Sequence, residues 1–256
     1  MFGGYEFDWS VLAEAFPALL QGLGLTLLIA AVAIIVPSVL ALAVAAARMS
    51  TSPVLRVPAQ LYIELFRCTP LLVQLLWFFF ALPALTGFSL SALASGILAL
   101  CLNMTAYLAE AYRAGLQAVP KEQIEAARML GLSRFDILVR IMVPQALRQQ
   151  VPNILSLDIQ LFKDSSLVSV IGVTEMTFQA NVLASATYRP LEVFTMLGLM
   201  YFAIAFPASL IVSWLERRGL GGPPRAGARR PNRRPDREPG SPTETEHIRV
   251  IQEVRS

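Results

Sequence analysis

The chain has 256 residues, 55% of them hydrophobic and 15% charged, where soluble domains carry about 25% charge, and its mean hydropathy is +0.57. That balance excludes an ordinary soluble globular protein and gives an integral membrane protein. Cys68 and Cys101 lack CxxC spacing and the one histidine is His247, so the sequence supports no disulfide framework, zinc site or histidine-dependent triad.

Residues 1–17 hold Glu6, Asp8 and Glu14 and no Lys or Arg. They lack the basic leader of a cleavable signal peptide, so the first apolar run reads as a retained anchor. Crossing a hydrocarbon core of about 30 Å takes about 20 apolar residues. Five such runs occur, at 18–47, 61–82, 90–112, 151–173 and 191–215. An all-α membrane protein with a five-helix transmembrane bundle over 18–218 follows, because lipid leaves helices or closed barrels as the ways to satisfy the backbone, and barrel strands are shorter and alternate in polarity. Pro37, Pro70 and Pro207 lie inside these runs, and each removes a backbone donor and predicts a kink.

Basic residues collect on one set of connections. Arg48 and Arg56 follow the first run; Arg113, Lys121, Arg128, Arg134, Arg140 and Arg148 follow the third; the tail is rich in arginine. The positive-inside rule then puts the N-terminus outside, with the 113–150 loop and the C-terminus cytoplasmic. Residues 219–256 are rich in Pro, Gly and charge, a composition that cannot bury enough apolar surface to offset chain ordering and predicts a disordered tail. Its arginines suit anionic lipid headgroups. A solvated tail that reinforces topology is the preferred reading over nucleic-acid binding.

The 113–150 loop has its own organisation. Pro120 suits a helix start, Gly131 a C-terminal stop, and Ser133 with Asp136 a second cap, so the pattern predicts helix, sharp turn, helix, with Pro144 closing the second. Ile137, Leu138, Ile141 and Met142 form an apolar stripe on that second helix. Ala126 and Ala127 beside Glu125 offer a small surface for close approach by another protein, with a carboxylate for an arginine or a helix N-terminus.

Lys163 and Asp164 lie about 17 Å into the fourth run at 1.5 Å per residue. Charges at that depth cost at least about 2.5 kcal/mol each, so they face a cavity or a partner. Asn153, Ser156, Gln160 and Lys163 share a helical stripe, with Asp164 four residues beyond Gln160, and Asn103, Tyr107 and Glu110 share a face of the third run. These stripes read as a polar path with opposite charges near its middle; a structural ion-pair network is the competing reading. Glu64 and Arg67, three residues apart, read as a local pair. The aromatic run at 77–80 reads as a lipid-facing interface anchor.

Glu125, Ala126, Ala127, Gly131, Ile141 and Pro144, with Val143 between the last two, resemble the cytoplasmic loop signature of permease subunits of bacterial ATP-binding-cassette importers; Val143 stands where Leu is usual. "GLGLTLLIA" at 22–30, "YIELFRCTPLLVQL" at 62–75, the block at 106–133 and "FKDSSLVSVIGVTEM" at 162–176 are similar to the polar amino acid branch. Cys68 replaces a common Gly, and Ser165 replaces a common Thr while keeping the hydroxyl. The resemblance implies that the loop docks on a cytoplasmic ATPase dimer. It also implies a second permease, identical or homologous, and an extracytoplasmic amino-acid-binding protein. The path is then expected at Asn103, Tyr107, Gln160, Lys163, Asp164 and Ser165. The chain has no GxxxxGK[ST] phosphate loop, so no cofactor is expected on it, and ATP with Mg²⁺ falls to the partner. An ion-coupled secondary transporter is the alternative; it leaves the loop signature unexplained.

Overall fold

The computed structural model describes residues 6–218; the sequence expectations for residues 1–5 and for the tail at 219–256 lie outside the described residues. Helix α1 spans Trp9–Arg48, capped by Asp8, whose side chain accepts from the Ser10 amide. It starts nine residues ahead of the apolar run read from the sequence and passes uninterrupted through Pro17 and Pro37. Helix α2 is Pro53–Cys68. After a break come α3 (Leu71–Leu76), a π turn (Trp77–Ala81) and α4 (Leu82–Thr86). Helix α5 is Ala92–Gln117, α6 is Lys121–Met129 and α7 is Arg134–Asp136. A second π turn, Ile137–Met142, leads into α8 (Val143–Asp164) and a 3₁₀ turn, Ser165–Ile171. Helices α9 (Met176–Thr187) and α10 (Pro190–Arg217) complete the described chain.

Among the described residues, α1, α5 and α10 are long and apolar enough to cross a membrane as single helices, and two bent pairs bring the total to five. The second span of the sequence reading is one bent pair, with 106° between Pro53–Cys68 and Leu71–Thr86; the fourth is the other, bent by 52° ahead of α9. Of the three prolines expected to kink, only Pro70 stands at a break; Pro37 and Pro207 sit inside continuous helices.

The break at Pro70 has a local cause. Proline disfavours helical geometry in the residue before it, and Thr69 is extended at φ −109°, ψ 141°. Pro70 also has no N–H for the carbonyl four residues back, Phe66 O. Two side-chain amides replace it: Gln74 Nε2 donates to Phe66 O at 2.9 Å and Asn103 Nδ2 at 3.0 Å. Gln74 Nε2 also lies 3.0 Å from Thr69 O and 2.7 Å from Thr69 Oγ1. A part-buried backbone acceptor is thereby satisfied without a helix.

Close contacts fix the order of depth in the bundle. A Cβ on Gly96 would sit 2.9 Å from Val168 Cγ1, and one on Gly115 would sit 2.6 Å from Gln150 Cγ, so α5 and the 143–171 stretch run antiparallel. Tyr112 donates to Ser38 O at 3.2 Å, which brings the later parts of α1 and α5 together. Arg48, Arg113 and the start of α8 therefore share one end of the bundle, while Thr26, Gly96 and Glu175 lie toward the other. One apolar core gathers Ile29, Ile63, Leu75, Leu100, Leu108 and Val168. A second, around Leu19, Met176, Ala180 and Val193, joins α1 to α9 and α10.

Candidate functional site

Where α2 breaks, the chain leaves a cavity of about 400 Å³. Arg67, Thr69 and Pro70 line it from the break, Asn103 and Tyr107 from α5, and Gln160 and Asp164 from α8. Asn103 and Tyr107 lie 7 and 11 residues along α5 from Gly96, about 10 and 16 Å of the roughly 28 Å between Gly96 and Gly115. The cavity therefore sits near mid-depth, within the size range of small-molecule sites.

Its electrostatics differ from the sequence expectation in one respect. Asp164 is half-buried on the wall and accepts from Gln160 Nε2 at 2.8 Å. The positive charge facing the same space belongs to Arg67, whose guanidinium lies 5.5 Å from the centre of the Tyr107 ring, a cation–π contact. Among the described residues Arg67 forms no ion pair with Glu64, so the local pair expected from their spacing is not formed. Lys163 is exposed and does not line the cavity, because the next position on a helix is turned by 100°. Ser165 is fully buried, donates to Phe162 O at 2.7 Å and does not line it either. Asn153 is exposed beside Gln150. Glu110 is engaged by Arg113 one turn along its own helix.

The loop at 120–144 forms the helix and turn read from the sequence, with two corrections. α6 ends in a Schellman motif: Gly131 takes φ +77°, its amide reaches Arg128 O at 3.0 Å, and the Leu132 amide reaches Ala127 O at 3.2 Å. The left-handed position requires glycine. Ser133 then caps α7 by accepting from the Asp136 amide at 3.1 Å. Pro144 does not close the second helix. The π turn at Ile137–Met142 shifts the hydrogen-bond register, with the Val143 amide bonding Leu138 O, and the helix runs on through Pro144 into α8. The second correction concerns the surface. Ala127 is 3% exposed and packs inward, so it offers nothing to a partner. Glu125 and Ala126 are exposed, and beside them Met129, Leu130 and Phe135 stand 88%, 81% and 72% exposed at the tip. Ile141 is half-buried and Pro144 exposed. Gln145 donates to Gln123 at 2.9 Å and ties α6 to α8.

A buried junction at the far end was not singled out in the sequence. Glu175 is fully buried and accepts from Thr26 Oγ1 at 3.1 Å, the Phe178 amide at 2.9 Å and the Tyr201 hydroxyl at 3.3 Å. Thr26 in turn accepts from the Met176 amide at 3.1 Å. Gly22 makes this approach possible, since a Cβ there would stand 2.6 Å from Met176 N. The visible signal is Gly22 and Thr26 one helical turn apart. Among the described residues no group of three or more His, Cys, Asp and Glu side chains gathers as a metal site.

Residues 38–219 match the family of binding-protein-dependent transport system inner membrane components. The chain belongs to this family. Two relatives cover most of the permease. The octopine transport system permease protein OccM of Rhizobium meliloti is 40% identical over 226 residues, 83% of this chain and 92% of that protein. The glutamate/aspartate import permease protein GltK of Escherichia coli O6:H1 is 34% identical over 221 residues, 84% and 99% of the two chains. The permease also superimposes on a crystal structure of an amino acid ABC transporter with histidines, at a TM-score of 0.79 and 34% identity, covering 84% of this chain and all of that one. It is an inner-membrane permease component.

Proposed function

We propose that the permease carries a polar amino acid into the cytoplasm through the cavity at the helix break. The carrying observation is a mid-depth space with Arg67 on one wall and Asp164 on another. No ion pair joins them among the described residues. An α-amino acid presents a carboxylate and an ammonium a few ångströms apart, and these two walls offer each its opposite charge. Asn103 and Gln74 hold the break that places Arg67; Gln160 orients Asp164. Lys163 and Ser165, expected on the path from sequence, lie outside this space. The amino acid substrates in the names of the relatives support the same substrate class.

Energy enters from another subunit. The exposed apolar tip at Met129, Leu130 and Phe135, beside Glu125, has the character of an interface centre, and it docks on a cytoplasmic ATPase dimer that binds ATP and Mg²⁺. This chain binds no cofactor. A second permease completes the path, and an extracytoplasmic binding protein delivers substrate. Arg48, Arg113 and the α6–α7 loop lie at the same end, so the positive-inside rule makes that end cytoplasmic and puts the N-terminus outside. Counting α2 to α4 as one crossing is required; as a re-entrant pair it would carry the basic loop to the other side.

Uptake into proteoliposomes holding the permease, its ATPase and binding protein tests the site. Arg67→Gln and Asp164→Asn should each lower uptake at least about tenfold, a loss of 1.4 kcal/mol or more, with the complex still assembled. Lys163→Gln should stay near wild type. Wild-type uptake by Asp164→Asn and Arg67→Gln would remove the site.

A further inference from the structure

Helix α8 carries a second acid that the cavity at the break does not use. Asp158 precedes Asp164 by six residues and so points about 120° away around the helix. It lines a separate groove of about 250 Å³ between α8 and α10, backed by Ile34 of α1. Phe162, Ile204, Ala208 and Ile211 supply apolar walls, and Asp158 is the one charged residue among the lining side chains. The two spaces share no lining residue.

Asp158 is poorly served by its own chain. Its Oδ1 is buried with no hydrogen-bond partner, and no basic side chain pairs with it among the described residues. Tyr112, an electrostatic neighbour, gives its hydroxyl proton to Ser38 O instead, at 3.2 Å. A buried acceptor without a donor costs free energy that an occupant can recover. Ile211 on the α10 wall is 57% exposed, so the groove opens on the outside of the bundle. Asp158 also stands seven residues into the apolar run that begins at 151, about 10 Å past its cytoplasmic start and so on the hydrocarbon side of the headgroups.

We propose that this groove is a binding site for a lipophilic amine that enters from the bilayer, its ammonium on Asp158 and its hydrocarbon along α10. Charge complementarity selects that class. A neutral alkyl chain leaves Oδ1 unpartnered, and a hard metal ion finds too few oxygens. The space holds the volume of about eight waters at 30 Å³ each, enough for the head and first carbons, with the rest of the chain in lipid.

The test uses the assembled transporter in lipid nanodiscs with radiolabelled dodecylamine. Saturable binding is expected above lipid partitioning. Asp158→Asn, and Ala208→Phe, which fills the groove from the opposite wall, should each weaken it at least about tenfold. Asp164→Asn should leave amine binding intact, which separates this site from the amino acid site and lets either proposal fail alone. Dodecanol, equal in length and uncharged, should not compete. Partitioning without saturation, unchanged affinity in Asp158→Asn, or equal competition by dodecanol would overturn the proposal. So would a disulfide between two copies of Ala208→Cys in the assembled complex, which would assign the groove to a permease–permease contact.

Discussion

Gln74→Leu tests whether the break between α2 and α3 is held by side-chain amides. Gln74 is 7% exposed, and its Nε2 lies within 3.0 Å of Phe66 O, Thr69 O and Thr69 Oγ1. An amide has two protons, so these contacts amount to two hydrogen bonds at any moment. Its Oε1 accepts a third, from Asn103 Nδ2 at 3.2 Å. At about 1 kcal/mol each, with up to a further 3 kcal/mol for a carbonyl left unpaired, the loss is about 3–6 kcal/mol. That is roughly two to four powers of ten in the population of the broken geometry, at roughly 1.4 kcal/mol per power. ATP-driven uptake should fall at least about tenfold, and spin labels on α2 and α4 should report a broadened distance. Pro70→Ala should be milder, because both amides remain. Uptake within about twofold of wild type, from the same yield of complex and with an unchanged distance, would refute the reasoning.

Gly22→Ala puts a carbon 2.6 Å from the Met176 amide nitrogen; backbone must shift, and thermal unfolding of the purified complex should move down by several degrees. Gly24→Ala, with nothing within 4 Å, should be neutral or stabilising by up to about 1 kcal/mol in the same assay. Thr26→Val keeps the shape and strips Glu175 and the Met176 amide of a partner, for a loss of about 2–4 kcal/mol in denaturant titrations. At the loop, Met129→Asp with Phe135→Ser should abolish co-purification of the ATPase without loss of folded permease, whereas Ala127→Ser, at a buried position, should act on stability instead. Glu125→Lys should uncouple hydrolysis from uptake, read as ATPase activity that no longer responds to binding protein.

The apolar runs at 90–112 and 191–215 become α5 and α10 because length and hydropathy alone decide such helices. The broken spans were legible only as the apolar runs at 61–82 and 151–173: a sequence shows the missing donor at Pro70, but the 106° bend depends on Gln74 and Asn103 reaching Phe66 O across the fold. Pro144 misled because a π turn just ahead of it absorbs the register change that would otherwise end the helix. At the cavity, helical spacing brought Asn103 to Tyr107 and Gln160 to Asp164. Lys163 was drawn in by its charge at depth and its three-residue spacing from Gln160, and Ser165 by the family resemblance, yet the packing of α8 turns both away from the cavity. Arg67 was missed because its nearest acid in sequence, Glu64, suggested a pair, and only the packing of α2 on α5 sets it over Tyr107. Ala127 shows the same limit: small size fits a docking surface and an inward-packed helix face equally well.

Transport driven by nucleotide hydrolysis in a partner is the claim on which the account rests. The direct measurement is amino acid accumulation in sealed proteoliposomes, with the ATPase present or omitted and with ATP or an imposed proton or sodium gradient. Accumulation should require the ATPase, the binding protein and ATP together, and should vanish with a non-hydrolysable analogue. Accumulation by the permease alone under an ion gradient would contradict it.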